Sequence, residues 1–515
     1  MKIKLYPVIG SLALAVVTIA CSDYLNESSG DLLIPEKVEE FQSVLYGEGY
    51  PDSYTDDVEW MDLMTDDVEI SPCAAAESMQ VEGDATSLIA TGRGAFCWAY
   101  DIEYYLVNYG SAYENRYKNI MACNTVIEVG EDMLGDKASV HSCLAQAYTL
   151  RAFNYFCLVN WYGLPYNELT ADTDMGVAVR LESKVSRDQP RRSTVAQVYK
   201  QINEDLDTAL KLFETAQPTK SIFVVSKKAA LLLKTRVALY TRQWDEVIRY
   251  GELLKEEGIK LYDISALTAD DMSNRISKFV FLTSKNPEVL FTFGNAAMGY
   301  HSFMDLIKGA IFVPSQTEEN DLIRIYEEGD NRMYAFFMQD YIDYDADWDM
   351  YWAYDDYRKI PFKHYDINAN RQCYTQAFRS AEIWLNMAEA YVHRNTGNDK
   401  EAAVTLLNEL RKCRFTAGQY QELSASDFTD AEALLQLVRD ERRREFCFEE
   451  THRWNDLRRY GMPRIEHKLY VTSTSVPETF VLEQGDKNYT LALPKSETSY
   501  STEIEVYDRR VINAQ

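Results

Sequence analysis

The chain has 515 residues, of which 46% are hydrophobic and 13% aromatic, and its formal net charge at pH 7 is -28. That length and composition allow a large buried core, and two or three domains are within its range. The acidic excess argues against nucleic acid as a partner and against electrostatic docking on an anionic membrane surface.

The first 20 residues have the pattern of an export signal. Lys2 and Lys4 precede a short apolar run that ends at Ala20, and a run of that length cannot span a bilayer as a helix. Because Cys21 follows directly, we predict that residues 1–20 are a lipoprotein signal peptide and that Cys21 carries a lipid anchor. The position three residues before the cysteine holds threonine rather than the usual leucine, so an ordinary secretory signal with a chance cysteine is the alternative.

The other cysteines show no Cys-x-x-Cys spacing and no cluster with histidine. The sequence therefore predicts no zinc site. An exported chain can form disulfides, and Cys73 with Cys97 is the pair that we would examine for one.

Paired helices are the main prediction for secondary structure, because apolar residues recur every three or four positions in successive segments separated by turn residues. The predicted helices are Tyr113–Val129, Lys137–Trp161, Thr194–Leu212, a helix that Ser226 caps and that runs to Tyr240, Trp244–Leu254, Phe378–Arg394 and Lys400–Arg414. Repeated helix–turn–helix units are typical of a tetratricopeptide-like solenoid, although the strict repeat of about 34 residues is absent. We therefore predict a mostly α-helical fold with a solenoid scaffold at about 112–257 and 376–460.

Long irregular loop insertions interrupt this scaffold at about 31–111 and 258–375, with a shorter one from Gly163 to Arg192. Loops of this length inside a domain are usually functional or disordered, and these are too aromatic for disorder. We predict that the two longer insertions face a ligand and that 461–515 forms a C-terminal tail.

The most aromatic part of the insertions is Tyr341–Tyr357, with the sequence Y-I-D-Y-D-A-D-W-D-M-Y-W-A-Y-D-D-Y. One strand would place Tyr344, Trp348 and Trp352 on a single face, whereas a helix would align Tyr344, Trp348 and Tyr351, and periodicity leaves both open. In either case rings lie beside a row of aspartates. Such a surface suits a sugar, whose C–H face stacks on aromatic rings while its hydroxyls meet polar side chains. The alternative is that these rings cover the scaffold as core.

Two smaller aromatic groups complete the candidate site, one just before the first scaffold helix and one after a glycine in the second long insertion. The candidate ligand-binding residues are Trp98, Tyr100, Asp101, Tyr300, Tyr344, Trp348, Tyr351 and Trp352. No catalytic residue is predicted.

Calcium is the alternative ligand for the aspartates of this segment. Asp343, Asp345 and Asp347 mimic the start of an EF-hand loop, but Trp348 stands where the turn glycine belongs and Tyr354 where the closing glutamate belongs. This excludes an EF-hand and leaves a calcium site of another kind as the alternative. We predict no other cofactor or metal.

A charged stretch from Val438 to Gly461 is the most distinctive part of the chain: V-R-D-E-R-R-R-E-F-C-F-E-E-T-H-R-W-N-D-L-R-R-Y-G. Glu441 and Glu445 fall on the apolar face of its first helix, and Thr451 is placed to cap a second one. A helix with charges on its packing side persists when guanidinium groups meet carboxylates in bidentate pairs. We interpret the stretch as a structural seam that locks a late helix onto earlier ones, rather than as a nucleic-acid surface or an acid–base catalytic site.

The same stretch resembles the signature of the SusD/RagB-like family, outer-membrane nutrient-binding lipoproteins of Bacteroidetes. The family usually has glycine or a small polar residue where this chain has Glu450-Thr451. Further segments resemble successive helices of that family: R-Y-K-N-I-M-A-C-N-T-V-I-E, A-Q-A-Y-T-L-R-A-F-N-Y-F, S-T-V-A-Q-V-Y-K-Q-I-N-E-D-L, S-K-K-A-A-L-L-L-K-T-R-V-A-L-Y, S-A-E-I-W-L-N-M-A-E-A-Y and, near the end, A-L-P-K-S-E. The resemblance implies one SusD-like domain at 21–515, lipid-anchored on the outer membrane. The motif does not encode ligand contacts, so it adds no site residue.

The resemblance also implies a function, namely a surface receptor that captures an oligosaccharide and hands it to a SusC-like TonB-dependent transporter without breaking a bond. Stacked rings on an exposed platform predict an affinity of roughly mM to µM. The acidic surface favours a neutral glycan over a sulfated or uronate-rich one, unless a local basic patch overrides it. A peptide or another nutrient is the alternative cargo. A glycoside hydrolase is the least favoured hypothesis, because 81 acidic residues create carboxylate pairs by chance and the chain has no nucleophile elbow, HExxH motif or P-loop.

Overall fold

Helices are the main secondary structure among the residues that the computed structural model describes, as the sequence predicted. The structure describes residues 35–51, 58–70, 84–106, 111–184, 191–267, 279–293, 312–316, 321–338, 341–345, 350–354, 360–361, 376–470, 476–500 and 504–515. For 84–89, 338, 341–345, 350–354, 360–361 and 500, the description covers the backbone only.

The first half of the described chain contains a series of helices, of which the third to the seventh pack one on the next. They are α1 Val38–Val44, α2 Asp84–Phe96, α3 Ala112–Val129, α4 Lys137–Tyr162, α5 Val195–Phe213, α6 Lys227–Tyr240 and α7 Trp244–Glu256. α4 packs against both α3 and α5, and α6 packs against α7. Ser226 caps α6 as predicted, since its hydroxyl accepts a hydrogen bond from the backbone N–H of Ala229.

The second half continues the scaffold with α8 Arg332–Phe336, α9 Ala381–Arg394, α10 Asp399–Lys412, α11 Ala431–Phe446, α12 His452–Arg459 and α13 Lys495–Tyr500. α9 packs against α7, α10 and α11, so the helices of the two halves are in direct contact. The predicted turn between α9 and α10 is present, and Asn395 ends α9 in a left-handed conformation at φ 48°.

Short strands between and after the helices form two-stranded sheets. Within the described residues, every one of these sheets is antiparallel. The pairs are β1 Val68–Ile70 with β3 Phe312–Pro314, β2 Val289–Thr292 with β8 Ala377–Arg379, β4 Phe337–Met338 with β7 Ile360–Pro361, β5 Tyr341–Asp345 with β6 Met350–Tyr354, and β9 Ile465–Leu469 with β10 Glu478–Leu482. The β1–β3 pair joins the two long insertions to each other.

The prediction that 31–111 is irregular is wrong for α1 and for α2, of which α2 is the longer. Gly92 and Gly94 lower the helix propensity of that segment, but both are required by packing. A Cβ atom at Gly92 would lie 2.6 Å from the ring of Phe312, and one at Gly94 would lie 2.4 Å from the ring of Tyr105. Tertiary contact therefore outweighs local propensity here.

The charged stretch forms a buried network around Glu445 of α11. Its carboxylate accepts hydrogen bonds from Arg379 at 2.9 Å, from Arg414 at 2.8 and 3.0 Å and from Arg332 at 3.1 Å. All four side chains are fully buried. Burial opposes ionisation of Glu445, but the three guanidinium groups outweigh it and hold its pKa well below the ordinary value.

Further buried and half-buried ion pairs connect the two halves of the chain, which confirms the interpretation of the stretch as a structural seam. Arg453 of α12 donates twice to Asp66, at 2.8 and 2.6 Å, and so ties α12 to the segment before β1. Arg236 of α6 donates twice to Glu382 of α9, at 2.9 and 2.6 Å. These pairs have the bidentate geometry that makes guanidinium–carboxylate contacts strong.

Thr451 stands at the predicted N-cap of α12, but the predicted capping bond is absent. Its hydroxyl instead accepts hydrogen bonds from the indole N–H of Trp161 at 3.2 Å and from the side-chain amide of Asn455 at 3.0 Å. The residue therefore joins α12 to the end of α4.

Candidate ligand-binding cleft

A cleft of about 250 Å³ lies where the segment before α3 meets the C-terminal tail. Its larger apolar lining residues are Trp60, Ile102, Leu106, Tyr162, Leu491 and Leu493, which are buried or half-buried. Its charged lining consists of Asp101, Glu103, Glu114, Lys495 and Arg509. An apolar concavity with a few polar groups is the usual construction of a small-molecule site.

Trp98 fixes the chain as it leaves α2 and approaches the cleft. Its side chain is fully buried, its indole N–H donates to the backbone oxygen of Met64 at 2.9 Å, and its ring stacks on His467 with 4.3 Å between centroids. The residue has a φ of 49°, which a tryptophan adopts only where surrounding contacts impose it. The prediction that Trp98 contacts a ligand is therefore wrong, because its ring belongs to the core.

The rim of the cleft carries charges that partly compensate one another. Lys495 contacts the carboxylate of Asp101, and Ser496 donates a hydrogen bond to Glu114. Burial raises the pKa of Glu103, and the neighbouring carboxylates Asp101 and Glu114 raise it further while Lys495 opposes them.

Arg509 is the buried cation of the cleft. It is 5% exposed, and its Nη1 donates to the backbone oxygen of Tyr100 at 2.7 Å. Its Nε and Nη2 have no acceptor among the residues that the structure describes. Burial lowers the pKa of Arg509 to about 10, although Tyr100, Asp486 and Asp101 act in the opposite direction.

The tail that carries Arg509 is held on both sides of this residue. Tyr507 donates through its hydroxyl to the backbone oxygen of Met175 at 2.5 Å. The backbone N–H of Gln515 donates to the oxygen of Thr479 at 2.9 Å. The predicted C-terminal tail therefore completes the cleft.

The structure places the predicted site residues in several different environments. Tyr100 is 52% exposed beside the cleft, and Asp101 lines it. Tyr344, Tyr351 and Trp352 lie in strands for which only the backbone is described. Tyr300 and Trp348 lie outside the described residues, as does the predicted lipidation site Cys21.

The described residues 341–345 and 350–354 form two antiparallel strands, the hairpin of β5 and β6, rather than one strand or a helix. β5 and β6 pair with Tyr344 opposite Tyr351 and with Asp343 opposite Trp352. Because the two strands are antiparallel, Tyr344 and Trp352 do not share the register that a single strand would give them. Asp347 of the alternative calcium site lies outside the described residues.

Other sequence expectations concern metals, disulfides and membrane spans. In the described part of the chain, no group of three or more His, Cys, Asp or Glu side chains could hold a metal ion. Cys97 is a buried free thiol, and Cys73 lies outside the described residues. No described helix is both long and apolar enough to cross a bilayer.

Sequence reasoning missed Arg509, Glu103 and Lys495 as parts of a site. One signal was present, because the A-L-P-K-S-E segment that contributed to the family resemblance supplies Ala492, Leu493 and Lys495 to the cleft wall. Arg509 stands in the tail without any pattern around it, so no comparable signal marked it.

Comparison with known families gives two matches on different parts of the chain. A family described as "Starch-binding associating with outer membrane" matches residues 28–239. The SusD family matches residues 313–510. No curated protein matches the chain.

Solved structures show the same fold at low sequence identity. A SusD superfamily protein from Bacteroides thetaiotaomicron is 19% identical, with a TM-score of 0.68 over 92% of this chain and 100% of that one. A SusD superfamily protein from Bacteroides fragilis is 21% identical, with a TM-score of 0.64 over 91% and 99%. A SusD-like carbohydrate binding protein from Bacteroides vulgatus is 19% identical, with a TM-score of 0.59 over 91% and 97%.

Proposed function

Because this chain belongs to the SusD/RagB-like family, we propose that it is a cell-surface lipoprotein that captures an oligosaccharide and delivers it to a SusC-like TonB-dependent transporter of the outer membrane. It binds its cargo without cleaving it. The observation that carries this proposal is the cleft between the segment before α3 and the tail, where a buried apolar lining meets charged side chains. The family description that includes starch binding supports the same cargo class.

The cleft has the chemical features that bind a sugar ring. Tyr162 and Trp60 are among the apolar residues that line it, and such surfaces pack against the C–H face of a sugar. Asp101 and Glu103 offer acceptors for hydroxyl groups, and Arg509 offers donors. A small cleft with few contacts is consistent with an affinity of roughly mM to µM.

The direct test is calorimetric titration of the mature chain with a panel of neutral glycans, acidic glycans and peptides, with analysis of the products. We expect a member of the glycan panel to bind and to be recovered intact. Release of smaller sugars would contradict a pure binding function, and binding of peptides alone would replace the cargo.

Blocking the cleft tests its part in binding. Ala492 lines the cleft and is exposed, so Ala492→Trp should fill the cleft without disturbing the core. We expect glycan affinity to fall by at least about tenfold, equivalent to about 1.4 kcal/mol. The matched control is Ala433→Trp, at an exposed position of α11 that does not line the cleft. Equal affinity in the two variants would show that the glycan binds elsewhere.

The hairpin of β5 and β6 is proposed as a second contact surface for the same glycan, together with Tyr300 and Trp348. Its register brings the ring-bearing positions Tyr344 and Tyr351 opposite each other and Trp352 opposite Asp343. Trp348→Ala and Trp352→Ala are expected to weaken binding of long oligosaccharides more than that of short ones. Unchanged affinity for every chain length in both variants would remove the hairpin from the site.

Membrane attachment is proposed to depend on Cys21. We expect Cys21→Ser to move the protein from the outer-membrane fraction to the soluble fraction of cells, and to abolish incorporation of labelled palmitate. Retention of the label by the serine variant would contradict lipidation at this residue.

A further inference from the structure

Arg509 has a guanidinium edge, formed by Nε and Nη2, that lacks hydrogen-bond partners among the described residues of the cleft. Its Nη1 is bonded to the backbone of Tyr100, but Nε and Nη2 have no acceptor within the described ranges. A buried polar group without a partner is unfavourable, and a buried charge without one is more so. The edge therefore fits a group supplied from outside the chain.

Other buried arginines of this protein show which group the same edge of a guanidinium binds. In five of them, Nε and Nη2 donate in parallel to the two oxygens of one carboxylate, at 2.6 to 3.0 Å. These pairs are Arg151–Asp205, Arg236–Glu382, Arg332–Asp330, Arg379–Glu449 and Arg414–Glu445. The planar guanidinium edge matches the two oxygens of a carboxylate in spacing and charge.

Arg458 shows that one unpartnered nitrogen is not sufficient for such a site. Its Nε also lacks an acceptor among the described residues. However, its Nη2 donates to the backbone oxygen of Gly163 and to the hydroxyl of Thr490, so the edge is already half occupied. Arg458 also does not line the cleft, whereas Arg509 does.

Resting on the glycan function proposed above, we propose that Arg509 binds the carboxylate of an acidic sugar, a uronic acid unit of the oligosaccharide. The sugar ring lies against the apolar lining that includes Tyr162 and Leu493. The site selects acidic over neutral sugars at this one position of the glycan.

The acidic composition of the chain does not prevent this. Exposed charges are screened beyond about 8 Å at physiological ionic strength, whereas a buried guanidinium acts at contact distance in surroundings of low dielectric constant. On the rim, Asp101 is already in contact with Lys495, and Glu114 accepts a hydrogen bond from Ser496. Arg509 is thus a local exception to the neutral glycan that composition alone favours.

The test compares each acidic oligosaccharide with its own neutral form. Oligogalacturonate, oligoalginate and oligosaccharides of glucuronoxylan, each before and after reduction of the carboxyl groups, are titrated into the mature chain by calorimetry. We expect at least one acidic form to bind about 10- to 100-fold more tightly than its reduced form, because reduction removes the charge-assisted bidentate pair.

The remaining outcomes separate this inference from the proposed function. If no acidic form binds more tightly than its reduced form, while some glycan still binds, the acidic-sugar assignment is overturned and glycan capture stands. If no glycan binds, the proposed function fails and the inference fails with it. Binding only of peptides with a free terminal carboxylate, over the same peptides as amides, would also overturn the sugar assignment.

Variants locate the preference within the cleft. Arg509→Gln removes both the charge and the guanidinium edge, so we expect the ratio of the affinities for the acidic and the reduced form to fall to about 1. Arg509→Lys keeps only the charge and should give an intermediate ratio. The matched control is Arg510→Gln, since the neighbouring arginine is half exposed, contacts Asp486 and does not line the cleft. An unchanged ratio in folded Arg509→Gln would overturn the proposal. If the Arg509 variants do not fold, the comparison of acidic and reduced forms on the unmodified chain still decides it.

Discussion

Glu445→Gln tests how much the buried ionic network stabilises the chain. The substitution keeps the shape of the side chain but removes its charge and turns one oxygen into a donor. Oε1 accepts from Arg379 and Arg414, and Oε2 accepts from Arg332 and Arg414. Either orientation of the amide therefore converts two of these four contacts into donor–donor encounters.

The magnitude follows from what the three arginines retain. Removing one partner of a buried ion pair costs about 3–5 kcal/mol. Here Arg379 keeps Glu449, Arg414 keeps Glu288 and Arg332 keeps Asp330, so each guanidinium still faces a carboxylate. We therefore expect a loss near the lower end, about 3 kcal/mol in the free energy of unfolding.

The assay is equilibrium unfolding in urea, with thermal unfolding as a second measurement. The unfolding entropy of about 2.1 cal/mol/K per residue gives about 1 kcal/mol/K for a chain of this size, so the expected fall in Tm is about 3 °C. The matched control is Glu246→Gln, which breaks an exposed pair with Arg249 on α7 and should cost no more than about 0.5 kcal/mol. An equal, small effect in the two variants would refute the claim that the buried network stabilises the fold.

Three further predictions concern the stability of the fold. Burial opposes ionisation of Glu441, but guanidinium neighbours lower its pKa from 4.5 to about 2. The stabilising contribution of this carboxylate is therefore complete above the pKa of the unfolded chain and is lost as pH falls from about 4.5 towards 2. Glu441→Gln should flatten that part of a plot of the urea unfolding midpoint against pH. At Gly251 a Cβ atom would lie 2.4 Å from the sulfur of Met387, so Gly251→Ala should lower unfolding free energy by about 1–3 kcal/mol less about 1 kcal/mol of helix propensity. Met387→Ala should relieve the clash, and Gly47→Ala, where no atom lies within 4 Å, is the control. Trp98→Ala should cost about 3–5 kcal/mol of stability while leaving the glycan affinity of the folded molecules unchanged, which titration below the unfolding temperature measures.

The helices were predictable because their determinants are local. The apolar spacing of α4 and α6 and the hydroxyl of Ser226 each act within a few residues of the chain. α2 was missed because Gly92 and Gly94 are unfavourable in a helix unless a distant ring occupies the space beside them. Short strands such as β1 form by pairing with segments that are distant in the sequence, so no local pattern predicts them.

The site was less predictable because composition does not distinguish a displayed ring from an enclosed one. Trp98 and Tyr100 are two residues apart, yet the first is fully buried and the second is 52% exposed. The difference comes from His467, whose ring stacks on Trp98. Arg509 became a candidate only when the fold placed it beside the backbone of Tyr100, more than 400 residues earlier in the sequence.

The buried ionic network and the cleft are connected through direct contacts. His467 of β9 stacks on both Phe96 and Trp98, at 4.2 and 4.3 Å between centroids, just before the segment that enters the cleft. Arg453 holds Asp66 four residues before the end of β1. These contacts bring the first insertion and the residues after α12 together. The cleft therefore exists only while the helical scaffold is folded. Variants of the buried ionic network should therefore reduce the fraction of molecules that bind without changing the affinity of those that remain folded. Arg509→Gln, in contrast, should change the affinity and leave that fraction nearly constant.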